Sequence, residues 1–429
     1  MKSLTSSILL FAAFASGQDI AGSWQGTLGA APNQIRLVAK FAKSETGEWK
    51  GALYSIDQGD RGSAIALDSL TLQGSDLRLA AAQIRGRYEG KLSADGTTIT
   101  GTWTQGRPAP LELKRATPET AWKDPSPHTV RMVSVDKDRD RDLKLEVLDW
   151  GGSGRPMVFI PGLGNTAHVF DEFATKFTPQ YHVYGITRRG FGDSSAPATG
   201  YQADRLGDDV LTVLDALKIE KPVLVGHSLE GEELSSVGSR HPEKVSGLIY
   251  LDAGYEYAFY DKARGALRID IADLRHKLDQ IEPGGAAADP LAVLRELIET
   301  TLPAVDRDLR EQQKTLAAVP PATLAAQYAQ PVPAVTREIM SGMQKYTSIT
   351  APILAIYAVP HDRGPQPPGA DAAAQDARDE ETTGAQAKAF ETGLASAKVV
   401  RIPHANHYVF RSNEADVIRE MSAFLATLK

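Results

Sequence analysis

The sequence predicts two folding units of different class, a small all-β unit followed by a doubly wound, mostly parallel α/β unit that carries a helical insertion. Three observations carry this reading. Apolar and polar residues alternate with period two over residues 20–115, as in Ile35-Arg36-Leu37-Val38-Ala39-Lys40-Phe41. Beyond residue 143, short wholly apolar runs alternate with helical patterns, as strands buried on both faces of a parallel sheet require. Between Tyr255 and about Tyr346 the strand signal vanishes and Leu, Ile and Ala recur at helical spacing. At 429 residues the chain has room for two or three domains, and 42% hydrophobic with 24% charged residues excludes wholesale disorder. A net charge of −7 without an extended Lys/Arg run leaves nothing to neutralise a phosphate backbone, so no nucleic-acid partner is expected. The absence of cysteine excludes disulfides, thiolate catalysis, iron–sulfur clusters and cysteinyl zinc sites together.

The first residues read as a leader. Lys2 precedes the apolar run Ile8 to Ala15, and Ala15-Ser16-Gly17 supplies small residues for cleavage. A signal peptide over residues 1–17 is the expectation, with the mature protein exported to the periplasm or the extracellular space. The run falls short of the roughly 20 apolar residues of a membrane helix, and no later stretch approaches that length, so no integral membrane segment is expected in the mature chain.

Residues 18–118 are expected to form an antiparallel β unit, a small barrel or sandwich. Glycine-containing turns separate its strands, and Asp95-Gly96 between two alternating runs is a hairpin signal. Gly22-Ser-Trp24, Gly47-Glu-Trp49, Gly86-Arg-Tyr88 and Gly101-Thr-Trp103 repeat a glycine-aromatic pattern at irregular spacing, a strand signature and not a solenoid. Aromatic residues at period-two positions point to a core, and nothing in this unit looks catalytic.

Residues 119–142, rich in proline and then in charge, are expected as a linker. The α/β core follows in two parts, 143–254 and 347–429, interrupted by a helical cap over 255–346. Its buried strands are visible as Pro156-Met-Val-Phe-Ile160, His182-Val-Tyr-Gly-Ile186, Pro222-Val-Leu-Val-Gly226, Val245-Ser-Gly-Leu-Ile-Tyr-Leu251 and Pro352-Ile-Leu-Ala-Ile-Tyr357. The cap enters after a strand whose carboxyl end is where open α/β sheets place their ligands. Residues 361–383 are expected to lack regular structure.

The chemistry concentrates at Val225-Gly226-His227-Ser228-Leu229-Glu230-Gly231. A serine at a sharp strand-to-helix turn has its hydroxyl lifted out of the sheet, and the next amide, at a helix N-terminus, can hold an oxyanion. A serine needs a base, itself oriented by a carboxylate. With this elbow and its surroundings, residues 143–429 resemble the α/β-hydrolases, which implies a doubly wound, mostly parallel sheet under a helical cap, and esterase-like activity.

The resemblance implies roles by position. Phe159-Ile-Pro161-Gly162-Leu163 stands where the family carries a His-Gly pair, which assigns the oxyanion hole to the amides of Leu163 and Leu229. The family order serine, acid, histidine makes Ser228 the nucleophile and His407 the base, with His404 as competitor. Asp362, after the penultimate strand, is the expected acid, and Asp252, one strand earlier, the alternative. His227 is read as a packing and hydrogen-bonding neighbour, His361 as structural, and Thr187-Arg-Arg-Gly190-Phe-Gly192-Asp-Ser194 as a structural turn. The implied activity is cleavage of a carboxylic ester, or of a lactone, thioester or amide, in a small-molecule acyl substrate, with no cofactor or metal needed. Serine at 228 argues against hydrolytic dehalogenases and epoxide hydrolases of this fold, which carry Asp there. Glu230 departs from the family, which has Gly or Ala at that place. An outward-facing side chain complementing the helix dipole is the preferred expectation. An inward-facing carboxylate would oppose the oxyanion and leave a hydrolase-fold binding protein.

Overall fold

The computed structural model describes residues 19–29, 34–44, 46–56, 65–81, 84–121, 128–136, 143–329, 332–364 and 371–428. The expected leader lies outside them. The chain divides into two compact units, residues 1–56 with 64–123, and residues 57–63 with 124–429.

Strands β1 (Gly22–Leu28), β2 (Ile35–Lys43), β3 (Trp49–Ser55), β4 (Ile65–Ala66), β5 (Ser69–Gln73), β6 (Asp76–Ala81), β7 (Gly86–Leu92), β8 (Thr98–Gln105) and β9 (Arg107–Arg115) build the first unit. Their order, β4-β3-β2-β1-β9-β8-β7-β6-β5, puts two strands consecutive in the chain at opposite ends of the sheet. The residues between them close the sheet on itself, since Leu67 N–H donates to Gly51 O at 3.1 Å and Asp68 N–H to Ala80 O at 2.8 Å. Closure removes exposed strand edges and encloses one core. Trp24, Tyr88, Ile99 and Trp103 fill it, and the Tyr88 hydroxyl lies 3.0 Å from both Ile99 O and Leu111 O. The repeated glycines make room for these rings: a Cβ on Gly90 would stand 2.8 Å from the Tyr88 ring and 2.9 Å from Ile99.

The second unit continues with β10 (Thr129–Asp136), β11 (Leu143–Gly151), β12 (Arg155–Ile160), β13 (Tyr181–Ile186), β14 (Val223–His227), β15 (Gly247–Leu251), β16 (Ile353–Ala358) and β17 (Ala397–Ile402). They form one sheet in the order β10-β11-β13-β12-β14-β15-β16-β17. Strand β11 runs antiparallel to both its neighbours, β10 and β13, and every other pairing in the sheet is parallel. Every residue of β14, β15 and β16 is buried, as a sheet covered on both faces demands. Helix Ala203–Leu217 packs Leu206, Val210, Val213 and Leu214 inward, and helices Gly231–Arg240 and Glu414–Leu425 are further cover. Between β15 and β16 lie helices Leu267–Ile281, Pro290–Glu296, Leu302–Ala317, Pro321–Tyr328 and Ala334–Ser341, which make the cap.

Two expectations are corrected. Part of the stretch expected as linker, 129–136, is edge strand β10, with Val133 and Val135 buried and Val130 and Met132 exposed; the charged run that follows obscured this alternation. Residues 372–379, expected without regular structure, are a helix, because Asp371 caps it by accepting from Ala374 N–H at 3.0 Å ahead of helix-favouring alanines.

The β unit offers a direct test of its packing. A Cβ on Gly101 would press on the Glu89 carbonyl and on Gly90 Cα, both backbone and unable to yield. Gly101→Ala is expected to cost about 1–3 kcal/mol, read as a lower denaturation midpoint for this unit.

Candidate active site

Four adjacent parallel strands deliver side chains from their carboxyl ends. Ser228 follows β14, Asp252 follows β15, His361 lies just beyond β16, and His407 lies in the loop after β17. Ser228 and Asp252 both adopt left-handed backbone, with φ of 56° and 47°, a conformation a non-glycine residue holds only when its surroundings enforce it. Beside Ser228, Gly162 leaves the room the turn needs, since a Cβ there would stand 2.7 Å from Ser228 Cβ and 3.0 Å from His227 O. That contact brings the Gly162-Leu163 turn against the serine, while Leu229 follows it at the start of the helical turn Ser228–Glu230.

His407 Nε2 lies 2.9 Å from Ser228 Oγ, and His407 Nδ1 lies 2.7 Å from Asp252 Oδ2. The expected pairing of Ser228 with His407 is therefore present in the geometry. The expected acid is not: Asp362 is exposed, and its Oδ1 accepts from Gly364 N–H at 2.8 Å. Side chains alternate along extended backbone, so when His361 points at Asp252 its neighbour points away. Asp252, the alternative, occupies the place assigned to Asp362. The competitor His404 is exposed as well, with its N–H donating to Pro360 O at 2.7 Å.

Asp252 is wholly buried. Its Oδ1 accepts from Ala358 N–H at 3.0 Å, and its Oδ2 faces His361 Nε2 at 2.9 Å as well as His407. Burial pushes this carboxyl up, but the hydrogen bonds from His361 and His407 and the charge of the two rings outweigh it and bring it down to about 2. His361 is held from its other side, with Nδ1 2.8 Å from Asp379 Oδ2 and its own N–H donating to the same oxygen at 2.6 Å. Burial lowers its affinity for a proton, yet Asp252 and Asp379 raise it to about 9. Behind the serine, His227 Nε2–H donates to the His407 carbonyl at 3.0 Å, and its ring packs among Tyr408 and Phe410. Burial first and the His407 ring second bring it down to about 3, so it is a neutral prop for the His407 loop.

Glu230 does not face outward. It is wholly buried, its Cγ passing over Gly226, where a Cβ would stand 3.0 Å away. Its Oε2 accepts from Arg188 Nη2, and Arg188 Nε lies against Glu233 Oε1. Burial raises the Glu230 carboxyl well above the usual range, Arg188 pulls it down, and Glu233 pushes it up again. The carboxylate feared for the oxyanion is thus spent on a guanidinium. Arg188 sits in the turn after β13, which is more than structural punctuation, and no local pattern signals a pairing between positions 42 residues apart. The adjacent Arg189 grips Asp209 with two bonds of 2.6 Å. Glu232, also buried, has no hydrogen-bond partner for either oxygen among the described residues, and burial raises it to about 8.

Among the described residues, two groups bring imidazole and carboxylate atoms within 4.8 Å of one another: Asp252 with His361 and His407, and His128 with His168 and Asp171. In the second, His168 bridges Asp171 Oδ2 at 3.2 Å and Glu146 Oε1 at 3.3 Å, and Trp150 Nε1–H donates to Asp171 Oδ1 at 3.1 Å. His128 Nδ1 lies 3.3 Å from Asp171 Oδ1 in this second group.

Two expected outcomes test the buried charges. Arg188→Met strands two carboxylates and should cost about 3–5 kcal/mol, with Glu230→Gln in the same chain restoring part of the loss in a denaturation series. Glu232 binds its proton more tightly folded than unfolded, so its ionisation in the unfolded chain erodes stability from about pH 4.5 up to about pH 8. Glu232→Gln removes that erosion, so its advantage in Tm should be small at pH 5 and grow to several degrees, about 2–5 °C, at pH 8.

Comparison with known proteins places these features. Residues 155–275 match the family model described as alpha/beta hydrolase fold. The chain is 29% identical over 101 residues to 2-(acetamidomethylene)succinate hydrolase of Mesorhizobium japonicum, covering 24% of this chain and 36% of that protein. It is 29% identical over 170 residues to epoxide hydrolase 4 of Mus musculus, covering 37% of this chain and 45% of that protein. It thus spans less than half the length of these curated relatives. Among solved structures, that of E-2-(acetamidomethylene)succinate hydrolase aligns with 70% of this chain and 100% of its own at 20% identity and a TM-score of 0.41. Strand order, the turn at Ser228 and the family match agree: the chain has the α/β-hydrolase superfamily fold, preceded by an N-terminal antiparallel β-sheet.

Proposed function

We propose that this protein is a serine hydrolase that cleaves a carboxylic ester, or a lactone, thioester or amide, of a small-molecule acyl substrate. The observation that carries the reading is the unbroken hydrogen-bonded line from Ser228 Oγ through His407 to Asp252, at 2.9 and 2.7 Å. In this mechanism His407 Nε2 accepts the Ser228 proton as Oγ bonds to the substrate carbonyl carbon. Asp252, in the role expected of Asp362, orients the ring and stabilises the imidazolium. The Leu163 and Leu229 amides donate to the oxyanion, and preorganised donors of this kind supply roughly 3–4 kcal/mol each. The imidazolium returns its proton to the leaving group, and water, deprotonated by the same ring, cleaves the acyl-enzyme.

The side chains of the two proposed oxyanion residues support an apolar acyl group. Leu163 and Leu229 join a cluster with Tyr201, Tyr260, Ile269, Ile339 and Met343, most of it contributed by the cap and its approach. Hydrocarbon buried there favours binding by about 25 cal/mol per Å². The relatives named above include hydrolases, which agrees with hydrolytic chemistry without choosing the substrate. The leader-like residues 1–17 support a proposed exported location.

Labelling and kinetics test the reading. An organophosphonate ester probe is expected to label the protein and to fail on Ser228→Ala. On a p-nitrophenyl ester series, Asp252→Asn should lower kcat/KM by about 10³- to 10⁴-fold, whereas Asp362→Asn leaves it unchanged. Failure of folded protein to label with probes of several sizes would overturn the proposal and favour a binding role.

A further inference from the structure

Asp252 serves two imidazoles, and the serine mechanism uses only one. His361 Nε2 lies 2.9 Å from the oxygen that holds His407 Nδ1 at 2.7 Å. On its far side His361 Nδ1 lies 2.8 Å from Asp379 Oδ2. Each ring nitrogen of His361 therefore faces a carboxylate oxygen, and an imidazole satisfies two acceptors only by carrying both protons. Asp379 is itself fixed, accepting from the His361 N–H at 2.6 Å and from Thr383 Oγ1 at 3.0 Å. The result is a continuous line, Asp379, His361, Asp252, His407, Ser228, in which the ring centroids of His361 and His407 stand 6.4 Å apart.

We propose that His361 is a positioning residue, a fixed imidazolium behind Asp252 that opposes a second positive charge on His407 and so keeps that base neutral to lower pH. This rests on the serine-hydrolase reading above. The other groups facing these rings do not duplicate the charge. His361 is faced by Asp252 and Tyr255 from the segment after β15, and by Asp379 from helix Ala372–Asp379; Arg363 reaches that carboxylate at 3.6 Å. Tyr255 is held as the neutral phenol by burial and by Asp252. His407 is faced by Ser228, Asp252, neutral His227 and Tyr408, over whose ring Arg411 lies at 5.4 Å. His361 alone among them is a cation bonded to the carboxylate that His407 uses. Two unit charges 6.4 Å apart in an effective dielectric of about 20–40 repel enough to move a proton equilibrium by roughly one to two pH units.

The experiment combines two readouts on the full chain. In ¹⁵N-histidine NMR, His361, assigned by its loss in His361→Gln, should keep both ring protons through pH 8, and the pH at which His407 takes its second proton should rise by roughly one to two units in that variant. The rate of Ser228 labelling by an organophosphonate ester, followed against pH, should show its acidic limb moved up by the same amount. Asp379→Asn, which keeps a hydrogen bond to His361 but removes the charge, should move the limb in the same direction by less. A neutral His361 at pH 8, or variants that slow labelling equally at every pH with the limb unmoved, would overturn the proposal. If wild-type protein is not labelled at all, the hydrolase reading falls, while the two NMR titrations still decide whether His361 carries the charge and whether His407 feels it.

Discussion

The buried carboxylate of Asp252 is the constraint on which the second unit's architecture turns. An ionised group removed from water must be matched by donors, and here they come from three separate places: the Ala358 amide at the end of β16, His361 just beyond it, and His407 after β17. Each donor fixes a different segment to the end of β15. The order β14-β15-β16-β17 is thus more than a packing solution, because only adjacent strands running the same way present their carboxyl ends close enough to share one carboxylate. The left-handed backbone at Asp252 belongs to the same account, since it turns the side chain back toward its donors at a cost of roughly 1–3 kcal/mol that the three hydrogen bonds offset.

A second charged assembly lies beneath the serine. A glycine or alanine two residues after the nucleophile needs no partner, but glutamate there needs both space and a cation. Gly226 yields the space, and Arg188 yields the cation. Arg188 also lies against Glu233, so one guanidinium answers two carboxyls on adjacent turns of the helix that carries the elbow. Such clusters seldom add net stability, because desolvation of the ions consumes the attraction between them. Their effect is directional: a carboxylate that could have pointed at an oxyanion is turned toward Arg188. The same fold therefore tolerates a residue that, read alone, argues against catalysis.

Much of this was legible in the sequence, and the losses have physical reasons. Period-two alternation around Trp24, Tyr88 and Trp103 identified an antiparallel β unit, barrel or sandwich, because its strands bury one face only. Wholly apolar runs such as Leu248 to Leu251 identified the parallel sheet because its strands bury both. Ser228 and His407, which lie 2.9 Å apart, were picked out because a strand-to-helix turn and a loop before the last helix are local features. The acid was not, since Asp252 and Asp362 both follow apolar strands, and the choice depends on which way one side chain leaves extended backbone. Adjacent His361 held the missed signal: a histidine beside the expected acid occupies the inward position and forces the aspartate outward. Glu230 was misread for a similar reason, because its partner lies on another strand and charge alone does not report burial.

The position of Asp252, the proposed acid, also governs how the cap is rooted. With the carboxylate after β15, the chain enters the cap directly from Asp252, so the acid and the cap's first residues share one short segment. That segment is packed from two sides. Gly231 lacks a side chain where the Ala253 carbonyl passes, and the Tyr357 ring closes on Gly254, to whose carbonyl its hydroxyl donates. Further along, Tyr260 N–H donates to Tyr346 O at 2.8 Å, which ties the outgoing strand of the cap to its return. Had the acid stood after β16, its backbone would have been independent of the cap, and motion of one need not have disturbed the other. Here any displacement of the cap's root would pull on the carboxylate hydrogen-bonded to His407, so a dense, glycine-dependent fit at positions 231 and 254 is the structural condition for the proposed acid at this strand.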